Sequence, residues 1–374
     1  MKNKSTNPNK SDSVKPQMGN EVKEYHSNGN LKLVGFLLNG KPNGFWEGYY
    51  DNGQLYSKGS YINGEKNGFW EEYYENGHLW SKGSYLNGKE DGVWESHYDN
   101  GQLSTKGTYL NGKEDGVWKS YHSNGLLYTK GSYLNGKRDG IWKFYILNGQ
   151  LWRKGSYLNG NSNGVWEEYY SNGQLRNKGS YLNENREGIW EEYYSNGQLW
   201  FKGSYLNGEW DGVWEDYHEN GQLWMKGSYL KGEKNGFWEE FYKNGQLKEK
   251  GSFLNGERDG LFILFGKNNS VKSILTYSKG NLEGEKLDYW DNGTLNGKVY
   301  YSNGIKEGIF EKHSQNGSQI VSGSYLNGKM NGMWRFNNSW SNLKPSGVYH
   351  NGKRVGLWEW NNDNGERVRT KMYN

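Results

Sequence analysis

Apolar and polar positions along this chain recur with a period of 24 residues. One unit reads Gly68-Phe69-Trp70-Glu71-Glu72-Tyr73-Tyr74-Glu75-Asn76-Gly77-His78-Leu79-Trp80-Ser81-Lys82-Gly83-Ser84-Tyr85-Leu86-Asn87-Gly88. Short runs of alternating apolar and polar residues, bounded by Asn-Gly pairs, predict two β-strands per unit joined as a hairpin. The marker tryptophan returns at Trp46, Trp70, Trp94, Trp118, Trp142, Trp166, Trp190, Trp214, Trp238, Trp334 and Trp358, with Phe262, Phe310 and Lys286 in the same phase. Counted from Val22, fifteen units fill the chain. A fixed period of this size means supersecondary units that cannot bury a core alone and stack on their neighbours.

Asn76-Gly77 reads as a two-residue type I′ turn, and such a turn fixes the register. Trp70 faces Gly83, Glu71 faces Lys82, Glu72 faces Ser81, Tyr73 faces Trp80, Tyr74 faces Leu79 and Glu75 faces His78. One face then carries Trp70, Tyr74, Leu79 and Tyr85 as a packing surface. The other carries Phe69, Glu71, Tyr73, Trp80, Lys82 and Leu86, and Asn87-Gly88 to Gly92 reads as a loop into the next hairpin. The turn signal recurs in thirteen of fifteen units, failing at Asn268-Asn269 and Trp340-Ser341.

These residues resemble the MORN repeat, and more closely its bacterial variant in YwqK-type antitoxin proteins. The resemblance is carried by Asn76-Gly77, Leu79, Lys82-Gly83, Tyr85, Asn87-Gly88, Gly92 and Trp94, and extends over residues 20–374. It implies an all-β, elongated single array of twisted antiparallel sheet, acting in protein interaction or membrane association without catalysis. Residues 1–19 read as a disordered leader rich in Lys, Asn, Ser and Pro. The array is regular to about residue 260, diverges over about 261–345 and ends in terminal units over 346–374. In the divergent stretch Ile274-Leu275 and Lys298-Val299 replace Lys-Gly, Lys286 replaces the marker aromatic and Pro345 enters a strand phase. Such a stretch is either decayed or specialised.

Composition narrows the chemistry. Aromatics make up 17% of the chain, alanine is absent, and the net charge of +4 comes from interleaved Lys and Glu, so no global field draws nucleic acid. There are no cysteines and no long apolar run, which leaves a cytoplasmic protein as the expectation. Paired carboxylates such as Glu71-Glu72 point to opposite faces of a strand and make a poor acid–base pair. His26, His122 and His218 stand at the phase of Tyr74, in units four apart, which disfavours a metal site. The chain therefore reads as a non-enzymatic scaffold with no cofactor.

Two sets of residues break the repeat. The position opposite Tyr73 varies, and its aromatic members Tyr56, Trp80, Tyr128, Trp152, Trp200 and Trp224 form a candidate partner-binding ladder for a protein, or for glycan or lipid headgroups. Lys119 faces Lys130 and Lys143 faces Lys154; with Arg138 and Arg153 these form a candidate contact for anions. An uncovered sheet edge adds an expectation of end-to-end self-association.

Overall fold

A computed structural model describes residues 19–337 and 342–374. Most of the leader expected at 1–19, and Trp340-Ser341, lie outside the described residues. Two compact units make up the chain, residues 1–164 and 165–374. Each is all-β, and in each, successive strands pair antiparallel as hairpins.

The register near the marker is as the sequence reads: Trp70 opposite Gly83, Glu71 opposite Lys82, Glu72 opposite Ser81. Nearer the turn it slips. Tyr73, not Tyr74, stands opposite Leu79, because the pairing shifts between Glu72 and Tyr73 and leaves Trp80 as an extra residue. The cause is the turn itself. Asn76 keeps an ordinary negative φ, and only Gly77 is left-handed, at φ 84°. The Gly77 amide donates to the Tyr74 carbonyl at 2.8 Å, and the Tyr74 amide donates to the His78 carbonyl at 2.8 Å. This is a three-residue loop, a type I turn closed by a left-handed residue, and not a type I′ turn. Asn76 serves it through its side chain, accepting from the His78 amide at 2.9 Å and donating to the Asp99 carbonyl of the next unit at 3.0 Å.

The type I′ turn lies in the other connection. Asn87 and Gly88 both have positive φ, 50° and 76°, and Leu86 pairs with Lys89 across them. What reads as a loop is thus a second hairpin, so a long strand away from the sheet edges is paired on both sides, as Leu79–Leu86 is with Gly68–Tyr73 and with Lys89–Glu90 and Gly92–His97. Asn268-Asn269 also keeps its turn, Asn269 taking the left-handed place of glycine at φ 63°.

A second irregularity sets the core. Between the pairs Lys130–Lys143 and Ser132–Asp139, Gly140, Ile141 and Trp142 bulge opposite the single residue Gly131. The bulge lays the indole on that glycine: a Cβ on Gly131 would come within 2.1 Å of the Trp142 ring. The same contact joins Gly35 to Trp46, Gly59 to Trp70 and Gly83 to Trp94, so each tryptophan covers the glycine of the preceding hairpin. The Trp142 indole N–H donates to the Ser132 carbonyl at 3.0 Å. Tyrosines fill the gaps edge-on, as in Trp70–Tyr85–Trp94, with centroids 6.2 and 5.1 Å apart. Ten of the eleven marker tryptophans are buried.

In repeats whose phase carries a cation, and not Glu90 or Glu114, that cation closes the stack. Lys66 lies 4.2 Å from the Trp70 ring, Arg138 4.5 Å from Trp142, and Arg186 4.2 Å from Trp190. Where Trp210 takes the cation's place, Trp214 turns over, stacks on Phe201 at 4.8 Å and donates to the Asp216 carboxylate at 3.0 Å. Burial raises the pKa of that carboxyl.

Candidate interaction surfaces

The slip beside the turn moves the candidate ladder to the other face. Trp80 sits against Tyr74, ring centroids 6.3 Å apart; Tyr56 against Tyr50 at 5.3 Å; Tyr128 against His122 at 4.8 Å. In the second unit Trp200 packs on Tyr194 at 5.9 Å and Trp224 on His218 at 6.0 Å. The ladder therefore flanks the tryptophan stack, and Leu79, now opposite Tyr73, has exchanged faces with Trp80. The exposure expected of it is present, from 37% at Trp224 to 46% at Tyr128, with Trp152 at 42%.

The residues behind the ladder are structural anchors. The Tyr74 hydroxyl donates to the His97 carbonyl of the next unit at 2.9 Å. His26 and His122 bond the equivalent carbonyls of Tyr49 and Tyr145, and Trp290 that of His313. These two histidines thus do the tyrosine's work, whereas the buried Nε2 of His218, at the same phase, makes no such bond. Next to Tyr56 the repeat's usual larger side chain is replaced by Gly48, opening a cavity of about 620 Å³ lined by Tyr50, Tyr56, Tyr61, Leu33, His26 and Asp51, among others.

Adjacent carboxylates are split as the alternation requires. Glu71 lies on the reverse face, bonded by Lys58 at 2.6 Å and by the Tyr73 hydroxyl at 2.8 Å. Glu72 lies on the tryptophan face, accepting from Ser81 at 3.0 Å and paired with Lys66 at 3.2 Å. Among the described residues, no group of three or more His, Asp or Glu side chains is placed to hold a metal ion.

The anionic-contact set does not stay together. Arg138 is stacked on Trp142 and its guanidinium donates to the Tyr157 hydroxyl at 3.2 Å, while Arg153 stands opposite Phe144, itself stacked on Trp142. Both arginines belong to the tryptophan face. The lysines belong to the reverse face, and pairing between hairpins joins what the hairpin register alone left as two pairs: Lys106 faces Lys119, Lys119 faces Lys130, Lys130 faces Lys143, and Lys143 faces Lys154. Before this run the same row alternates, Glu47–Lys58–Glu71–Lys82–Glu95–Lys106. Glu95 sits at the junction, held by Lys106 at 2.7 Å and Lys82 at 2.9 Å, which together lower its pKa to about 2.

One surface escaped the reading of single hairpins. The residue between Gly and Trp, always apolar, is among the most exposed on the reverse face: Phe69 56%, Val117 55%, Ile141 65%, and in the second unit Ile189 58%. Its constant apolar character was the available signal. It is hidden by the usual inference that constant apolar positions face a core.

Stacked antiparallel hairpins, with Asn-Gly turns, a glycine under the marker indoles and a period of 24 residues, define a repeat family. Residues 42–63, 66–87, 90–111, 114–135, 138–159, 162–183, 186–207, 210–231, 234–255 and 282–303 match the model of the MORN repeat variant, together more than half of the chain. The chain belongs to the MORN repeat variant family. No curated protein matches it. Among solved structures this MORN repeat variant is similar to TcdB2-TccC3-TEV, at 11% identity over 93% of this chain and 22% of that one, with a TM-score of 0.16. It is also similar to TcdB2-TccC3, at 12% identity over 92% and 21% of the two chains, with a TM-score of 0.17. It spans about a fifth of the length of those chains, and TM-scores so low say nothing of what it does.

Proposed function

We propose that this MORN repeat variant is a non-enzymatic scaffold that binds a protein partner through its exposed aromatic ladder. The observation that carries the reading is the contrast at neighbouring positions: Trp70 is 4% exposed, whereas Trp80, on the same face, is 44% exposed and propped on Tyr74. A large ring held half in water by a fixed support is pre-organised for contact, and burying it on a partner costs little side-chain entropy. The varied identities at this phase suit one specific partner.

The resemblance to the antitoxin proteins suggests a toxin as that partner, with this chain as its immunity protein. The test is capture by the immobilised full chain, compared with Trp80→Ala/Trp152→Ala and Trp200→Ala/Trp224→Ala variants that melt like the parent. One protein recovered in stoichiometric amount, and lost with the ladder, supports the reading. Unchanged capture by both variants sinks it. Protection of cells from the product of an adjacent gene distinguishes immunity from scaffolding alone. Glycan or vesicle binding by the ladder, with no protein captured, favours a sugar or headgroup ligand instead.

A further inference from the structure

On the reverse face of the first unit, opposite the ladder and independent of it, Lys106, Lys119, Lys130, Lys143 and Lys154 follow one another on five successive paired strands. Adjacent strands lie about 4.8 Å apart, so like charges in register here repel, where the preceding row gains from alternation. Lys106 is shared with Glu95. Lys119, Lys130 and Lys143 make no ion pair with any described residue. Two substitutions in phase, Lys119 and Lys143 for glutamate, produce the whole run.

We propose that this row is a docking site for an acidic, extended polypeptide segment of a partner protein. Charge complementarity selects an anion, and the neighbours of the row select its kind. Val117 and Ile141 lie two residues before Lys119 and Lys143 on the same strands, hence on the same face, and are 55% and 65% exposed. Aliphatic side chains about 6.8 Å from each ammonium's own backbone position border the site on that side. A segment in which glutamates or aspartates are interspersed with apolar residues covers both. A phosphate polymer matches the charge but has nothing to place on the aliphatic border. The lysine stems are long enough to adjust to the spacing of carboxylates along an extended chain, so the row asks for charge density and apolar flanks rather than one sequence.

The probe is a fluorescent peptide of glutamate interspersed with leucine, titrated by anisotropy against the full chain. The row predicts saturable binding that weakens as salt is added, and an affinity at least about tenfold lower for Lys119→Glu/Lys143→Glu. That variant restores the alternation of the preceding row, so it folds and melts no lower than the parent. Val117→Ser/Ile141→Ser weakens the leucine-bearing peptide and not a glutamate–glycine peptide of equal charge. Trp80→Ala/Trp152→Ala leaves peptide binding unchanged, which separates failure of this site from failure of the ladder. The proposal is overturned if the peptide does not bind, or if Lys119→Glu/Lys143→Glu binds it as well as the parent. It is equally overturned if inorganic polyphosphate or phosphatidylserine vesicles bind the row more tightly than the peptide does.

Discussion

Gly131 and Leu275 occupy the same phase of the repeat, six units apart, and what lies over them differs in kind. Gly131 carries the Trp142 indole, in contact so close that no side chain fits beneath it. Leu275 is 6% exposed and has Lys286 at the marker position, whose ammonium turns to Asp288 at 3.1 Å. One unit on, Val299 is 7% exposed and its marker is the smaller ring Phe310. The large side chain has moved from the marker to the strand below it. In these two repeats the stack is repacked: a buried apolar group is kept, at Leu275 and Val299, while the residues that supply it change places. Gly323 and Trp334 then restore the usual arrangement.

The largest effect is expected from emptying the regular stack. Trp142→Ala should lower stability by about 3–5 kcal/mol, since it leaves a cavity and strands a cation over it; chemical denaturation measures this, and a wild-type midpoint would contradict the stacking account. Leu275→Gly should cost about 2–5 kcal/mol by the same reasoning. The sharper experiment adds Lys286→Trp, which rebuilds the glycine–indole pair; recovery of a good part of the loss in a double-mutant cycle is the outcome that volume exchange requires. Gly131→Val tests the converse and should cost about 1–3 kcal/mol by overpacking. Introduced beside it, Trp142→Phe should relieve part of that cost, as Phe310 does over Val299.

Smaller effects belong to charge. Lys119→Glu/Lys143→Glu should raise stability by about 0.2–1 kcal/mol for each like-charged pair converted, a gain that shrinks in high salt. The weakest at neutral pH is a titration. Burial pushes Tyr85 and Tyr229 up to about 12, and Tyr193 and Tyr217 likewise with Glu191 and Glu215 as their acceptors. The folded chain keeps these protons after the unfolded chain has lost them, so their presence leaves stability intact below pH 10 and lowers it as pH rises towards 12. Melting temperatures measured across that window should fall, and Tyr85→Phe should flatten the slope.

Much of this was legible from one hairpin. The period, the all-β class, the pairs Trp70–Gly83, Glu71–Lys82 and Glu72–Ser81, and the splitting of Glu71 from Glu72 follow from alternation and from turn residues. Asn-Gly alone does not say which kind of turn it makes. At Asn76-Gly77 and Asn87-Gly88 the same dipeptide closes two different loops, and that difference, one residue in register, carries Trp80 across the sheet. The lysine row was half legible, because its two hairpin pairs are visible in sequence and their junction through Lys130 and Lys143 is not.

The sequence by itself determined that identical units stack, which residues are turns, and that aromatic side chains must supply the cohesion that alanine and long apolar runs cannot. Those are consequences of local chemistry repeated at a fixed interval. Only the tertiary structure decided which glycine lies under which tryptophan, which arginines are spent on indoles, and that Val117 and Ile141 stand beside unpaired lysines in water. Each depends on how one hairpin meets the next, and contacts between hairpins are fixed by bulges whose geometry no single unit contains.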